Sequence, residues 1–293
     1  MMPDLPHPDP ALGAVLHGVR ALILDADGVL VLKGRSLPGA GEALLELARR
    51  DIPYRIVTNY SSAHRETLAA RFSSGGLAID PGHIISAASA AAAYTAAAYP
   101  GRSLLVLGEP DALREWSGQR LVATAEADAE DADVAAVVVG DAGPELAFAD
   151  LDAAFRVLRR GAELIAMHRN PWWITELGPT LDAGAIVAGL EYALDRRARV
   201  LGKPSAGVFR QAAAELAREL GQARLPARAI AMVGDDPRSD LAPARRLGIR
   251  TVLALTGKTT REDLAAGPDA ARAARFTPDG IATSIVEVVA ALR

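Results

Sequence analysis

The stretch ALILDADGVLVL, residues 21–32, decides the fold of this chain. Residues 21–24 are all apolar, which is typical of a strand buried on both faces of a parallel sheet, and the run ends at Asp25, Asp27 and Gly28. In an open α/β sheet, ligands bind beyond the carboxyl ends of the strands, so these two carboxylates lie where chemistry is done. Asp and Gly are also ordinary turn formers, so the stretch by itself leaves a simple Asx turn as an equal alternative.

The composition is that of a globular protein. It has 293 residues and 50% hydrophobic content, enough for a large core and two domains. The formal charge of −4 and the lack of a Lys/Arg block argue against a nucleic-acid partner. Because the chain has no cysteine, disulfides, thiolate chemistry and Cys-ligated zinc are excluded. We expect a cytoplasmic protein without a membrane partner, since the start lacks signal-peptide features and the alanine-rich run 86–99 is too short to span a bilayer.

Short apolar strands alternate with amphipathic helical patterns along the chain. The segments 54–57 and 229–233 are predicted strands, and they end in the polar runs TNYSS and GDDPRSD. Further elements are predicted as a strand at 250–254 and helices at 41–50, 241–247 and 281–292. Such alternation indicates an α/β fold with a parallel sheet and right-handed crossovers.

A second α/β unit is predicted in the middle of the chain. Thr58 and Lys203 are separated by about the length of a small domain, whereas Asp25 and Thr58 are one βα unit apart. The intervening segment has its own strands at 103–107, 134–139 and 163–167 and helices at 111–116, 147–160 and 182–194. We therefore predict a Rossmann-like core in residues 1–82 and 198–293 and an inserted α/β cap domain in residues 83–197.

The polar strand ends predict a phosphate and metal site. Three acidic clusters, at Asp25/Asp27, Asp235/Asp236 and Asp240, would repel one another unless a cation lay among them. Oxygen ligands without His or Cys suit Mg²⁺, which is commonly completed by substrate phosphate oxygens. A phosphate is expected to be bound by the remaining polar residues, Thr58, Asn59 and Lys203.

The two carboxylates of the opening stretch are suited to different steps of phosphoryl transfer. Asp25 is placed to attack phosphorus and form an aspartyl-phosphate, which water then hydrolyses. Asp27, two residues further on, is placed to protonate the leaving alcohol and later to deprotonate the water. The sequence therefore predicts a phosphatase.

Four motifs resemble those of the haloacid dehalogenase (HAD) superfamily of phosphatases, in the expected order: DADGV at 25–29, TN at 58–59, GKPS at 202–205 and GDDPRSD at 234–240. The chain is similar to subfamily IIA, the NagD-like or p-nitrophenyl phosphatase-like group with a large α/β cap. The resemblance implies Mg²⁺ bound by Asp25, Asp235 and the carbonyl of Asp27, with Asp240 in support, and a homodimer formed through the caps. Tyr60 stands where the family commonly has a second Asn, and we expect a changed contact at the rim of the site.

The substrate is predicted to be a small phosphate ester. The cap stretch 167–180 is predicted to select this ester through its leaving group. Its candidate residues follow a predicted strand and are His168, Asn170, Trp172 and Trp173. Packing within the cap or at a dimer surface is an equally good explanation of the tryptophans. For the chain as a whole, the alternatives are a non-catalytic phosphate-binding member of the fold, a C–halogen hydrolase, which needs no metal, and a phosphomutase.

Overall fold

The structure of the chain, a computed structural model, describes residues 10–175, 178–261 and 276–292. Packing divides the chain into two units. The first unit holds the residues up to 58, residues 68–85 and those from 204 onward, and the second holds residues 59–67 and 86–203. The second unit is thus an insertion within the sequence of the first.

Both units are built from short strands and helices. The strands are β1 (Ala21–Leu24), β2 (Val31–Leu32), β3 (Arg35–Ser36), β4 (Tyr54–Thr58), β5 (Ile84–Ser86), β6 (Ser103–Leu107), β7 (Arg120–Leu121), β8 (Val134–Val139), β9 (Glu163–Ala166), β10 (Trp172–Thr175), β11 (Gly178–Leu181), β12 (Arg199–Val200), β13 (Ile230–Gly234), β14 (Arg250–Ala254) and β15 (Gly280–Ala282). The α-helices of the described residues are α1 (Pro10–Leu16), α2 (Ala40–Arg49), α3 (Arg65–Ser74), α4 (Ala87–Ala98), α5 (Pro110–Leu113), α6 (Thr124–Ala127), α7 (Phe148–Arg159), α8 (Ala183–Leu194), α9 (Ala206–Glu219), α10 (Ala242–Arg246) and α11 (Ile285–Ala291). None of these helices is long and apolar enough to cross a membrane.

Strand β1 lies inside the six-stranded sheet of the first unit, whose order is β15-β14-β13-β1-β4-β5. It pairs in parallel with β13 and with β4, and Leu24 lies opposite Val233 and Ile56. All four residues of β1 are buried, as expected for a strand in the interior of a parallel sheet. Because the three strands run in the same direction and in close register, the residues that follow each of them lie along one edge of the sheet.

A five-stranded parallel sheet, of order β12-β9-β8-β6-β7, organises the second unit. One apolar cluster joins this sheet to α7 and α8 and includes Ala154, Val157 and Val187. A second cluster joins the sheet to α4 and Trp116. The alanines of α4 are mostly buried, which is consistent with the close approach of backbones that small side chains permit.

The chain is an α/β protein with a Rossmann-like core and an inserted α/β cap domain, as predicted. The strands predicted at 103–107, 134–139 and 250–254 occur with those bounds. The helix predicted at 281–292 is wrong at its start, because Gly280–Ala282 forms the edge strand β15 and the helix begins only at Ile285. The domain boundaries at 82/83 and 197/198 stay a prediction.

Candidate active site

Three carboxylates of the first unit form one cluster. Asp25, Asp235 and Asp240 each offer an oxygen, and these oxygens lie within 4.8 Å of one another. All three residues are buried, Asp240 completely. Like charges this close and this buried repel one another strongly and attract a cation, and a set of hard oxygen donors fits Mg²⁺. The residues therefore fit the predicted metal.

The turn after β1 fixes the first of these carboxylates. The Asp25 N–H donates to the carbonyl of Val233 at 2.9 Å, and one Asp25 oxygen accepts from the Ala26 N–H at 2.7 Å. The chain then reverses through Gly28, whose φ of 77° is in the left-handed region that favours glycine. Asp27 lies in this turn and is exposed. The two carboxylates thus differ in environment, one buried in the cluster and one open to solvent.

Two glycines enclose the carboxylate of Asp235. A Cβ added to Gly28 would lie 2.2 Å from Oδ2 of Asp235, and a Cβ added to Gly257 would lie 1.9 Å from the same atom. The Lys258 N–H donates to this oxygen at 2.6 Å, and the Thr256 hydroxyl donates to the Gly28 carbonyl at 2.5 Å. Residues 256–258, which we call the TGK segment, therefore hold Asp235 against the turn of the first motif.

The helical turn Pro237–Leu241 places the third carboxylate. One oxygen of Asp240 accepts from the Asp236 N–H at 3.2 Å, and the other accepts from the Ser239 hydroxyl at 3.1 Å. Burial would raise the pKa of Asp236, but the Arg238 N–H and the Lys258 ammonium outweigh it and lower this pKa below its ordinary value. Asp236 is accordingly an anion that pairs with Lys258, at 3.1 Å, outside the cluster of three.

The predicted phosphate-binding residues occupy both units. Thr58 ends β4 in the first unit and is buried. In the second unit, the Asn59 side chain donates to the Lys203 carbonyl at 3.1 Å and accepts from the Lys203 N–H at 2.8 Å. Only a glycine fits before Lys203, because a Cβ on Gly202 would lie 2.5 Å from the Met167 carbonyl oxygen. The Asn59 amide thus clamps the backbone of Lys203, a residue that is only 5% exposed.

The candidate specificity residues have different environments. His168 is only 2% exposed and lies 2.9 Å, through Nε2, from the Ser61 hydroxyl. Burial lowers its pKa, although the charges of Asp182 and Asp141 act in the opposite direction. By contrast, Asn170 is exposed, and Trp172 and Trp173, on β10 of the β10–β11 hairpin, are 57% and 44% exposed. Their roles stay predictions.

Sequence reasoning missed the TGK segment and Ser61. The TGK segment lies outside the four motifs, although Thr-Gly-Lys after an apolar strand repeats the pattern of polar residues at a strand end. Ser61 lies in the polar run TNYSS, where nothing distinguishes it from Ser62. Tyr60, at the family's usual second Asn, accepts a hydrogen bond from the Ala87 N–H through its carbonyl, a contact that any side chain allows.

Comparisons with known proteins agree with the four motifs. Residues 22–120 match the family model described as haloacid dehalogenase-like hydrolase, and residues 200–288 match a second HAD-hydrolase-like model. The chain is 31% identical over 250 residues to haloacid dehalogenase-like hydrolase domain-containing protein 2 of Mus musculus, covering 85% of this chain and 89% of the relative. It is 30% identical over 259 residues to phospholysine phosphohistidine inorganic pyrophosphate phosphatase of Xenopus laevis, covering 86% and 89%.

Among solved structures, the chain is similar to p-nitrophenyl phosphatase from Archaeoglobus fulgidus, with a TM-score of 0.80, 28% identity and coverage of 92% of this chain and 98% of that one. NagD from Escherichia coli shares the fold, with a TM-score of 0.75. The chain belongs to the haloacid dehalogenase-like hydrolases, and within them to the NagD-like, p-nitrophenyl phosphatase-like group of phosphatases.

Proposed function

We propose that the protein is a Mg²⁺-dependent phosphomonoesterase that acts on a small phosphorylated metabolite through an aspartyl-phosphate. The observation that carries this proposal is the buried cluster of Asp25, Asp235 and Asp240 at the carboxyl edge of the core sheet. A non-catalytic relative of the fold would have no need to keep three mutually repelling carboxylates buried together. A C–halogen hydrolase would use the first carboxylate without a metal, so the other two favour phosphoryl transfer.

In the first step, a carboxylate oxygen of Asp25 forms a bond to phosphorus while the bond from phosphorus to the ester oxygen breaks. Asp27 gives its proton to the departing alkoxide, so the product leaves as an alcohol. In the second step, Asp27 takes a proton from water, and the resulting hydroxide attacks phosphorus. The acyl-phosphate bond breaks, and Asp25 returns as a carboxylate beside inorganic phosphate. The exposure of Asp27 supports this role, because the same group must exchange with solvent water.

Mg²⁺ would be held by Asp25, Asp235 and the Asp27 carbonyl, with Asp240 in support. When bound, it would neutralise the cluster and stabilise negative charge on the transferring phosphoryl group. The TGK segment would keep one oxygen of Asp235 engaged and so orient the other toward the ion. Thr58 and the Lys203 ammonium would bind the phosphate oxygens, and Asn59 would contribute mainly through the backbone of Lys203.

The leaving group would be selected by the cap residues Asn170, Trp172 and Trp173, whose exposure supports contact with a ligand. Replacing Trp173 with alanine should then change the ranking of substrates more than the turnover of the smallest ester. We also propose a homodimer formed through the second unit, which the exposed apolar side chains of Leu181 and Tyr192 support. Light scattering of the wild type and of Tyr192→Ser tests this, and a monomeric wild type would contradict it.

The deciding experiment is a phosphate-release screen with and without Mg²⁺. The substrates are p-nitrophenyl phosphate, a panel of phosphomonoesters, and pyrophosphate, phospholysine and phosphohistidine, after which the Xenopus laevis relative is named. We expect release that EDTA abolishes and that Asp25→Asn lowers by at least about 10⁴-fold, the scale on which removal of a nucleophile acts. Asp152→Asn, an exposed aspartate on α7, is the matched control and should keep full activity. Full release by Asp25→Asn would refute the mechanism.

A further inference from the structure

His168 is the one fully buried histidine of the described residues, and polar groups surround it. Its Nε2 lies 2.9 Å from the Ser61 hydroxyl oxygen and 3.6 Å from an Asp182 carboxylate oxygen. Asp182 is itself held as the N-cap of α8 and accepts from the Ala183 N–H at 2.7 Å. A buried side chain in such a network has one set of partners, so its orientation is fixed.

The hydrogen bonds also fix where the ring carries its proton. The Asn170 N–H lies 3.3 Å from Nδ1 of His168, which makes Nδ1 the acceptor and leaves the proton on Nε2. The Nε2–H then donates to the Ser61 hydroxyl oxygen, which also accepts from the Asp141 N–H at 3.0 Å. Ser61 is therefore held from two sides, by the residues that follow β8 and β9 of the cap sheet.

Ser61 belongs to the same short stretch as the clamp on Lys203. Residues 59–62, which we call the Asn59 segment, carry Asn59 with its two hydrogen bonds to the Lys203 backbone. The residue before His168 contacts the other side of the clamp, because the Met167 carbonyl accepts from the Gly202 N–H at 2.7 Å. His168 thus lies between the Asn59 segment and the loop that carries Lys203.

We propose that His168 is a positioning residue: by holding Ser61 it fixes the Asn59 segment, and the Asn59 segment in turn fixes the backbone of Lys203. The inference rests on the proposed function, in which Lys203 binds the phosphate. At 2% exposure His168 has almost no surface to offer a leaving group, so it acts on binding through these hydrogen bonds instead of selecting the substrate by contact. Loss of the His168 side chain should therefore weaken binding of the phosphate group of every substrate, whatever its leaving group.

The test compares His168→Leu, which removes the donor, with His168→Gln, whose side-chain amide can replace the Nε2–H. Ser61→Ala removes the hydroxyl that accepts from His168, and it is the alternative variant if His168→Leu folds poorly. His17→Leu, at an exposed histidine, is the matched control. Amide hydrogen exchange by mass spectrometry follows the peptides that contain residues 59–62 and 200–203, and phosphate-release assays give KM and the inhibition constant of inorganic phosphate.

We expect His168→Leu and Ser61→Ala to speed exchange in those two regions about tenfold, the effect of one lost buried hydrogen bond. KM and the inhibition constant of phosphate should rise by a similar factor for all substrates, and His168→Gln should restore most of both. Unchanged exchange in His168→Leu and Ser61→Ala, or a change of KM for one substrate only, would overturn the inference. Altered exchange in a protein whose wild type releases no phosphate would support the positioning role and refute the proposed function instead.

Discussion

Gly257 lies against the Asp235 carboxylate, and the Gly257→Ala variant tests how tightly the TGK segment holds that group. The added Cβ would lie 1.9 Å from Oδ2 of Asp235 and 2.6 Å from the Cα of Gly28. Since atoms in ordinary contact are about 3.5 Å apart, the carboxylate or the turn at Gly28 must withdraw by more than about 1 Å. Neither can move freely, because the Lys258 N–H and the Thr256 hydroxyl tie them together.

The expected effects follow from this displacement. A misplacement of about 1 Å near reacting groups lowers rates by about 100-fold, so kcat should fall by about that factor and the affinity for Mg²⁺ should weaken. Overpacking should lower the free energy of unfolding by about 1–3 kcal/mol. Gly13→Ala is the matched control, since Gly13 lies in α1 with nothing within 4 Å of its added Cβ. This control should be neutral or stabilising by up to about 1 kcal/mol, because alanine has the better helix propensity.

Isothermal titration calorimetry with Mg²⁺, phosphate release and urea unfolding measure these three quantities on the same preparations. Calorimetry reports on the cluster without turnover, so the effect on the metal site is separated from any effect on substrate binding. If Gly257→Ala bound Mg²⁺ and turned over like the wild type, the Asp235 carboxylate would not be enclosed as the structure shows it, and the positioning role of the TGK segment would be wrong.

Three further perturbations give distinct results. Asp240→Asn removes one charge from the buried cluster and should weaken Mg²⁺ binding in calorimetry while leaving the apo protein folded; unchanged affinity would contradict its supporting role. Burial depresses the pKa of His168, so the unfolded chain takes up a proton at a higher pH than the folded protein does. The free energy of unfolding should therefore fall as the pH drops below about 6.5, by at most about 1.4 kcal/mol per pH unit. Urea unfolding should show a smaller dependence of this free energy on pH for His168→Gln. Arg55 joins β4 to α9 through Glu215 at 2.9 Å and Glu219 at 2.6 Å, so Arg55→Ala should lower the free energy of unfolding by about 1–3 kcal/mol, measured in urea, without changing KM.

The elements that the sequence predicted well are those with long, uniform patterns. The apolar run of β1 is interrupted at once by Asp25, and the strands 103–107 and 134–139 are equally continuous, so their bounds were readable. The edge strand Gly280–Ala282 has three residues and merges into an apolar helical pattern, so it was missed. The antiparallel strands β10 and β11 were missed as well, because each has only four residues and the prolines at 171 and 179 are typical of a loop.

Within the site, the sequence predicted residue types at strand ends but not the contacts between distant segments. Asp25 and Asp235 follow neighbouring parallel strands, so their proximity could be predicted from the parallel sheet. The approach of Gly257 to Gly28 and the bond of His168 to Ser61 join positions far apart in the chain, and local patterns carry no information on such pairs. For the same reason, the burial of His168 could not be foreseen from a loop rich in polar residues.

Whether Asp25 becomes phosphorylated is the most direct question for the proposed mechanism. The protein is mixed with Mg²⁺ and a phosphate ester that it hydrolyses. The reaction is quenched in acid within one turnover, and the protein is digested for mass spectrometry. We expect the mass of one phosphoryl group on the peptide that contains Asp25, its loss on treatment with hydroxylamine, and its absence in Asp25→Asn. Turnover with no label on that peptide, or with the label on another residue, would contradict the assignment of Asp25 as the nucleophile.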